Sequence, residues 1–139
     1  MAGIRLAALD LWTVAQTCWG EARGEGSAGI YAVAQVIRNR HEYHARWRGM
    51  SPRRICLAPF QFSCWLPSDP NLVKMQKVSC DDAVFVACLV AAAEVFGGSV
   101  MSSVGRATHY YADTIPPPGW AIGSPVAVIG HHIFFEGIA

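Results

Sequence analysis

The spacing of hydrophobic and polar positions divides the chain into a helical first third, an irregular middle, one strongly apolar helix and a strand-like end. Residues 7–22 are rich in Ala and Leu and are followed by a cluster of glycines, which is typical of a helix that ends there. In residues 27–41, apolar side chains recur three or four positions apart. This stretch is therefore predicted to be a second helix, with Ser27 as its N-cap.

The middle of the chain carries the signals of loops and of two further helical segments. Ser51–Pro52 predicts a short helical turn, with serine as the cap and proline at the first helical position. The prolines within residues 57–78 predict that this part is mostly loop. Ser79 and Asp82 resemble a capping box, and they predict a helix over residues 80–96 that stops at the two following glycines.

Strand-forming residues dominate the last third of the chain. Thr108–Tyr111 and Ile133–Phe135 are rich in β-branched and aromatic side chains, and the rigid loop Pro116–Gly119 separates them. We therefore expect an α+β fold that is mostly helical, with a small antiparallel sheet or hairpin near the C-terminus. The length of 139 residues and the 53% hydrophobic content predict a single domain over residues 1–139.

Composition and charge exclude several classes of function. The chain has 11 basic and 10 acidic residues, so its net charge of +1 gives no general electrostatic reason to bind nucleic acid and no polybasic membrane anchor. The most apolar run, Ala83–Ala93, is shorter than the roughly 20 residues that a membrane span needs. Asp10 interrupts the apolar start of the chain, so we expect no signal peptide and synthesis in the cytoplasm.

The five cysteines have no paired spacing typical of a zinc site, and their odd number argues against a full disulfide framework. We expect free thiols that are mostly buried. The His41-Glu42-x-His44 sequence lacks the spacing that places two histidine ligands on one helix face. Accordingly, no metal and no cofactor is expected.

The segment Trp19–Gly26 contains the strongest chemical signal. A carboxylate at a helix end beside Trp and Gly suits a general acid, because the Trp19 ring would raise the pKa of the Glu21 carboxyl by desolvation. The neighbouring glycines would leave room for a substrate to approach. The alternative is a surface ion pair between Glu21 and either Arg23 or Arg38.

This segment, followed by the helix Ala32–Arg40, resembles the SleB-like cell wall hydrolases, which include spore-cortex-lytic enzymes and phage endolysins. The resemblance continues in further blocks that come in the family's order. These blocks are Gln61–Trp65, Thr108–Ala112, Pro118–Ala121 and Ile129–Phe135.

The resemblance implies a lysozyme-like fold and cleavage of peptidoglycan between N-acetylmuramic acid and N-acetylglucosamine. It places the catalytic glutamate at Glu21. Many family members are lytic transglycosylases, in which one glutamate protonates the glycosidic oxygen and then deprotonates the muramic acid 6-hydroxyl, giving a 1,6-anhydro end. Ordinary glycosidases use two carboxylates instead. A hydrolytic muramidase, a metal-dependent amidase or peptidase, and an inactive glycan-binding wall protein are the alternatives.

Further residues are assigned to the site around Glu21. Glu25 is its rival as the catalytic residue, but we favour a supporting role for Glu25, through an ion pair with Arg23 or as a backbone cap. His109 and His132 are expected to form hydrogen bonds between the terminal strands, and core packing is the alternative for the aromatic residues. The predicted substrate-binding residues are Trp19, Gln61, Phe62, Ser63, Trp65, His109, Tyr110, Tyr111, Trp120 and His132.

The biological setting is also expected to follow that of part of the family. A lone catalytic domain, without a peptidoglycan-binding module or a signal peptide, resembles a phage or prophage endolysin. Such an enzyme accumulates in the cytoplasm and reaches the wall when a holin opens the membrane. We expect a monomer whose partner is the peptidoglycan glycan strand.

Overall fold

Helices occupy the first two thirds of the chain and a small sheet occupies the last third. The structure is a computed structural model that describes residues 2–139. The helices are α1 (Ala8–Ala22), α2 (Gly26–Tyr43), α3 (Pro52–Leu57), a 3-10 helix (Ser63–Trp65), α4 (Asn71–Lys77) and α5 (Ala83–Gly97). The strands are β1 (His109–Ala112), β2 (Ala127–Ile129) and β3 (His132–Phe135). The predicted α+β class, mostly helical with a small antiparallel sheet, is confirmed.

Helix α1 lies at the centre of the helical layer and packs against α2, α3, α4 and α5. Its buried face includes Val14 and Cys18, which meet the small side chains Ala91 and Ala92 of α5 in one core. Close packing also governs the C-terminal end of α1. A Cβ atom on Gly20 would lie 2.5 Å from the sulfur of Met75 in α4. Glycine at this position therefore lets α4 and the 3-10 helix approach the residue that follows it, Glu21.

The start of α2 differs from its prediction, whereas α1 ends where it was predicted to end. Helix α1 ends at Ala22, and Gly26 has a φ of 77°, a left-handed conformation that glycine adopts without strain. The predicted N-cap Ser27 is wrong, because Glu25 occupies the cap position and Ser27 lies inside the first turn. Helix α2 consequently begins one residue early and continues to Tyr43.

The helix ends of the middle region follow simple capping rules. Ser51 Oγ accepts a hydrogen bond from the Arg54 N–H at the start of α3, as predicted. Asp82, rather than Ser79, caps α5 by accepting from the Phe85 N–H at 2.9 Å, so that helix starts at Ala83. The two glycines end it as expected.

Three elements were not predicted from the sequence. Residues 57–78 were expected to be mostly loop, but the 3-10 helix and α4 form there, and α4 begins immediately after Pro70 and buries Met75 completely. Strand β2 is only three residues long, and it forms because β3 offers it a partner: Ala127 pairs with Phe134. The resulting order is β1-β3-β2, with both pairings antiparallel.

Polar side chains of α2 attach the sheet to the helices. Asn39 Nδ2 donates to the carbonyl of Ala107 at 2.9 Å, and Arg40 Nε donates to the carbonyl of Thr108 at 2.7 Å. Phe134 of β3 packs with Ala32 and Val36 of α2 in a second buried cluster, which also contains Val104 and Ala107. These contacts hold β1 beside the C-terminal end of α1.

All five cysteines are free thiols. Four of them are buried and Cys80 is exposed, in agreement with the prediction. Within residues 2–139, no helix combines the length and the apolarity that crossing a bilayer would require.

Candidate active site

A groove of about 670 Å³ runs between the C-terminal end of α1, the loop before the 3-10 helix, strand β1 and the loop after it. Eight of the residues assigned to the site from sequence line this groove together. They are Glu21, Gln61, Ser63, His109, Tyr110, Tyr111, Trp120 and His132. The groove therefore joins blocks that lie more than 100 positions apart in the chain.

Glu21 lies in the last turn of α1 and presents its carboxylate to the groove. One oxygen, Oε1, accepts a 2.6 Å hydrogen bond from the Tyr110 hydroxyl. The other, Oε2, accepts from the Cys64 N–H at 3.2 Å and from Ser63 Oγ at 3.5 Å. Strand β1 and the 3-10 helix thus fix the carboxylate from two sides with neutral donors.

The ion pairs considered for Glu21 are not formed. Arg23 instead donates to Asn71 Oδ1 at 2.6 Å and lies over the Trp19 ring. Arg38 is fully buried, where it donates to the carbonyls at the end of α5 and pairs with Glu42 at 3.2 Å. In the described structure the only side chains that hydrogen-bond to Glu21 are uncharged.

Tyr110 has a role that the sequence did not reveal. It was expected to offer a flat face to a sugar ring, but its hydroxyl donates to Glu21. Its ring packs 5.3 Å from the ring of Phe134 and 4.8 Å from that of His132. Burial, and then the negative charge of Glu21, raise the pKa of the Tyr110 phenol well above 10. The hydroxyl therefore stays protonated at neutral pH and remains a hydrogen-bond donor to Glu21.

Two neutral histidines border the groove. Burial, and then the charge of Arg40, lower the pKa of His109 from 6.5 to about 4, and burial also lowers the pKa of His132. His109 Nδ1 lies 2.9 Å from Thr108 Oγ1, its neighbour in sequence, while His132 Nδ1 has no partner among residues 2–139. In the described structure, therefore, neither ring makes the expected side-chain hydrogen bond between the terminal strands.

Arg40, the last residue of the Ala32–Arg40 block, also lines the groove. It is 4% exposed, and its guanidinium lies 4.3 Å above the Trp47 ring. Its Nη1 donates to Gln61 Oε1 at 3.4 Å, which fixes the orientation of that amide. Burial lowers the pKa of Arg40 from 12.5 to about 10, so the group still carries its charge at neutral pH.

Three aromatic residues assigned to the sugar groove lie in the core instead. Trp19 is 8% exposed and its indole N–H points to Asp82, while Phe62 is 2% exposed. Trp65 is half-buried and donates through its indole N–H to Thr17 Oγ1 at 2.9 Å. None of the three lines the groove. They pack in or against the main core, which is the packing alternative that the sequence left open.

Glu25 also lies outside the groove. Its Oε2 accepts a hydrogen bond from the His131 N–H at 3.1 Å, and a Cβ atom on Gly130 would collide with it. Glu25 therefore attaches the α1–α2 corner to the β2–β3 turn, and it makes no ion pair with Arg23 in the described structure.

Seven further residues line the groove without having been assigned to it from the sequence. Four of them, Gly20, Arg40, Ala112 and Pro118, lie inside the motif blocks, where nothing separated them from their neighbours. The other three, Phe60, Asn71 and Ile115, lie outside the blocks, although Phe60 directly precedes Gln61–Trp65. Within residues 2–139, no three His, Cys, Asp or Glu side chains are arranged so that they could hold a metal ion.

Comparisons with known proteins find similarity in sequence and in fold. The profile of the cell wall hydrolase family matches residues 24–135, so the match begins just after Glu21. The catalytic domain of the Bacillus cereus SleB protein is 22% identical, with a TM-score of 0.75 over 97% of this chain and 95% of that one. The catalytic domain of the germination-specific lytic transglycosylase SleB from Bacillus anthracis is 23% identical, with a TM-score of 0.72 over 94% and 96%.

No curated protein matches the chain in sequence. The two structural likenesses confirm the predicted lysozyme-like catalytic fold. Since the family profile extends over well over half of the sequence, the chain belongs to the cell wall hydrolase family and is an enzyme that acts on peptidoglycan.

Proposed function

We propose that the protein is a lytic transglycosylase that cleaves the bond between N-acetylmuramic acid and N-acetylglucosamine, with Glu21 as its single catalytic acid and base. One observation carries this proposal. Glu21 is the only carboxylate among the groove-lining residues of the described chain, and three neutral donors hold it in place. A reaction that needs one carboxylate suits such a groove better than one that needs two.

In the first step, Glu21 donates a proton to the glycosidic oxygen while the bond from that oxygen to the muramic acid C1 breaks. The N-acetylglucosamine product leaves with a free hydroxyl. Oε2 is the oxygen that carries this proton, because its contacts of 3.2 and 3.5 Å are weaker than the 2.6 Å bond that Tyr110 makes to Oε1. The carboxylate that remains is stabilised by all three donors.

In the second step, the ionised Glu21 takes the proton of the muramic acid 6-hydroxyl. The O6 atom then forms a bond to C1 and closes the 1,6-anhydro ring. Glu21 is protonated again at the end, so the cycle consumes no water and needs no second carboxylate.

The rest of the groove supplies recognition. Trp120 and Tyr111 offer aromatic faces, and their rings lie 6.0 Å apart. Gln61 and Asn71 offer amide groups that match the acetamido and hydroxyl groups of the sugars. Apart from Glu21 and the buried Arg40, the side chains that line the groove are neutral, which suits an uncharged glycan backbone.

The mass spectrum of the muropeptides released from purified cell walls tests the proposal. Wild-type protein is expected to give 1,6-anhydro ends, and Glu21→Gln is expected to give no product while remaining folded. Glu136→Gln is the matched control, because Glu136 is exposed and does not line the groove. Reducing ends would show a hydrolytic muramidase, and activity that survives in Glu21→Gln but is lost in Glu25→Gln would transfer the catalytic role to Glu25.

We also propose that the enzyme works as an endolysin, one of the two roles that the resembled family includes beside that of the spore-cortex-lytic enzymes. Expression in a bacterial host, with and without a co-expressed holin, tests this role. Lysis is expected only when the holin is present and only with an intact Glu21. Lysis without the holin would contradict dependence on membrane opening.

A further inference from the structure

Phe60 is exposed to an unusual degree for a large apolar residue at the edge of an active site. Its side chain is 83% exposed, and it lines the same groove as Glu21. Its backbone φ is 61°, and it is the one non-glycine residue with a positive φ within residues 2–139. Nothing in the proposed chemistry at Glu21 uses this residue.

Both features of Phe60 are unfavourable for folding. A left-handed backbone brings the Cβ atom of an L-residue close to the neighbouring carbonyl, and an aromatic residue gains nothing there that Gly or Asn would not. An exposed ring also leaves apolar surface in water. Strained residues persist where the surrounding structure dictates them, and they are often found at functional sites.

The neighbours of Phe60 dictate its conformation. Phe62, two residues later, is 2% exposed, and the Gln61 N–H donates to the carbonyl of Ala58 at 3.2 Å. The backbone is therefore held on both sides of Phe60, while its own ring reaches away from the core. The fold would keep the same turn with a residue better suited to it, so the ring is not there for packing.

A second exposed apolar residue reaches the groove from a different segment. Ile115, in the loop after β1, is 52% exposed and lines the groove. Pro118 and Trp120 of the same loop continue this apolar surface along the groove. The open edge of the groove is thus apolar, whereas the surface around Glu21 carries hydroxyl and amide groups.

We infer that Phe60 and Ile115 form a glycan subsite in which the C–H face of a sugar ring, from the same strand that is cut at Glu21, stacks on the Phe60 ring. This inference rests on the proposed function. Pyranose rings present an apolar face of C–H groups, and an exposed aromatic ring recovers its hydration cost by covering such a face. A glycan strand is the occupant that fits, because the subsite is continuous with the groove that holds the catalytic carboxylate.

The test measures binding of soluble glycan strands by titration calorimetry in a Glu21→Gln background, where no cleavage disturbs the equilibrium. Phe60→Ala and Phe60→Asn are expected to weaken binding about tenfold, since each removes a ring face that is covered in the complex. Phe60→Tyr keeps the ring and is expected to bind within about twofold of its parent. Met101→Ala, a truncation of a residue that is 94% exposed and outside the groove, is the matched control.

Thermal unfolding of the same variants separates a binding role from a structural one. Phe60→Asn is expected to melt about 2–5 °C above Phe60→Ala, because Asn tolerates a left-handed backbone and Ala does not. The two variants should nevertheless bind glycan equally weakly. A structural role would make binding follow stability, and that outcome would overturn the inference.

Two further results would count against the subsite and leave the function at Glu21 intact. One is unchanged glycan affinity in Phe60→Ala. The other is a change in sedimentation of Phe60→Ala with unchanged affinity, which would identify the exposed ring as a contact between copies of the chain. Failure of wild-type protein to cut any glycan would instead reject the proposed function itself.

Discussion

The substitution Tyr110→Phe tests how much the hydrogen bond from Tyr110 to the Glu21 carboxylate contributes to activity. The substitution removes one oxygen atom, the donor of the 2.6 Å bond to Glu21 Oε1. The ring keeps its packing against Phe134 and His132, with centroid distances of 5.3 and 4.8 Å. We expect a loss of activity that is out of proportion to the loss of stability.

The size of the effect follows from the geometry. A hydrogen bond from a neutral donor to a carboxylate contributes roughly 1.5–3 kcal/mol, and this one is short and partly buried. In the proposed cycle the bond strengthens when Glu21 gives up its proton, so most of that energy belongs to the transition state. The expected fall in kcat is about ten- to a hundredfold. The Cys64 N–H and Ser63 Oγ still hold the other oxygen, so activity should not fall to that of Glu21→Gln.

The assay compares release of 1,6-anhydro muropeptides by wild type, Tyr110→Phe and Tyr43→Phe at several substrate concentrations. Tyr43 loses the same oxygen atom but is 41% exposed and does not line the groove, so its variant controls for the chemical change. Thermal unfolding of all three proteins shows whether the fold is kept. The effect is expected in kcat rather than in KM, because the hydroxyl points to Glu21 and not to the substrate.

A Tyr110→Phe variant that keeps kcat within about twofold of wild type, while Glu21→Gln is inactive, would contradict this role of the hydroxyl. That result would show that the carboxylate works without its closest donor. A fall confined to KM would also contradict it, since the hydroxyl would then be binding sugar.

Two other predictions concern stability. His109 takes up a proton near pH 6.5 in the unfolded chain but only near pH 4 in the folded chain. The melting temperature should therefore fall as the pH is lowered through this interval. In melts recorded at several pH values, His109→Asn should reduce the slope of melting temperature against pH. His132 titrates with the same sign, so some slope should remain. Gly20→Ala would bring a Cβ within 2.5 Å of the Met75 sulfur and 2.9 Å of Cys64 Cβ. It should destabilise the fold by about 1–3 kcal/mol and lower kcat by displacing the Cys64 N–H from Glu21, as measured by melting and by turnover below the melting temperature. Full activity and stability in Gly20→Ala would show that this close packing is not needed.

The parts of the fold that the sequence predicted are those in which local pattern and packing agree. Helix α2 repeats apolar residues along one face, and the structure buries that face in the core. The two long strands carry β-branched and aromatic side chains, and they pair with each other. Helix α4 escaped prediction because it is short, is exposed along much of its length and packs against α1, which is distant in sequence. Strand β2 escaped prediction because three residues are too few to show an alternating pattern, although its partner β3 follows directly after a two-residue turn.

The candidate site also has a part that could be predicted from the sequence and a part that could not. The motif around Glu21 identified the groove, but sequence could not separate groove aromatics from core aromatics. Trp19 and Trp120 are the same residue type in similar motif blocks, yet one is 8% exposed in the core and the other lines the groove. The exposure of each ring depends on whether its side of α1, or of the loop between β1 and β2, faces the core or the groove. That is a property of tertiary packing. The role of Tyr110 was hidden for the same reason, because its partner Glu21 lies 89 positions away.

The absence of an ion pair at Glu21 is consistent with the proposed two-step reaction. A cation in contact with a carboxylate favours its ionised form and so reduces the fraction of Glu21 that carries the proton which the first step donates. Within residues 2–139, the cation that lines the groove is Arg40, and it directs its Nε and Nη1 to Thr108 and Gln61 instead. Neutral donors stabilise the carboxylate after it has lost its proton. Because they carry no full positive charge, they oppose the return of the proton less than a cation would. A single residue can then serve first as acid and next as base, which is what cleavage without a second carboxylate demands.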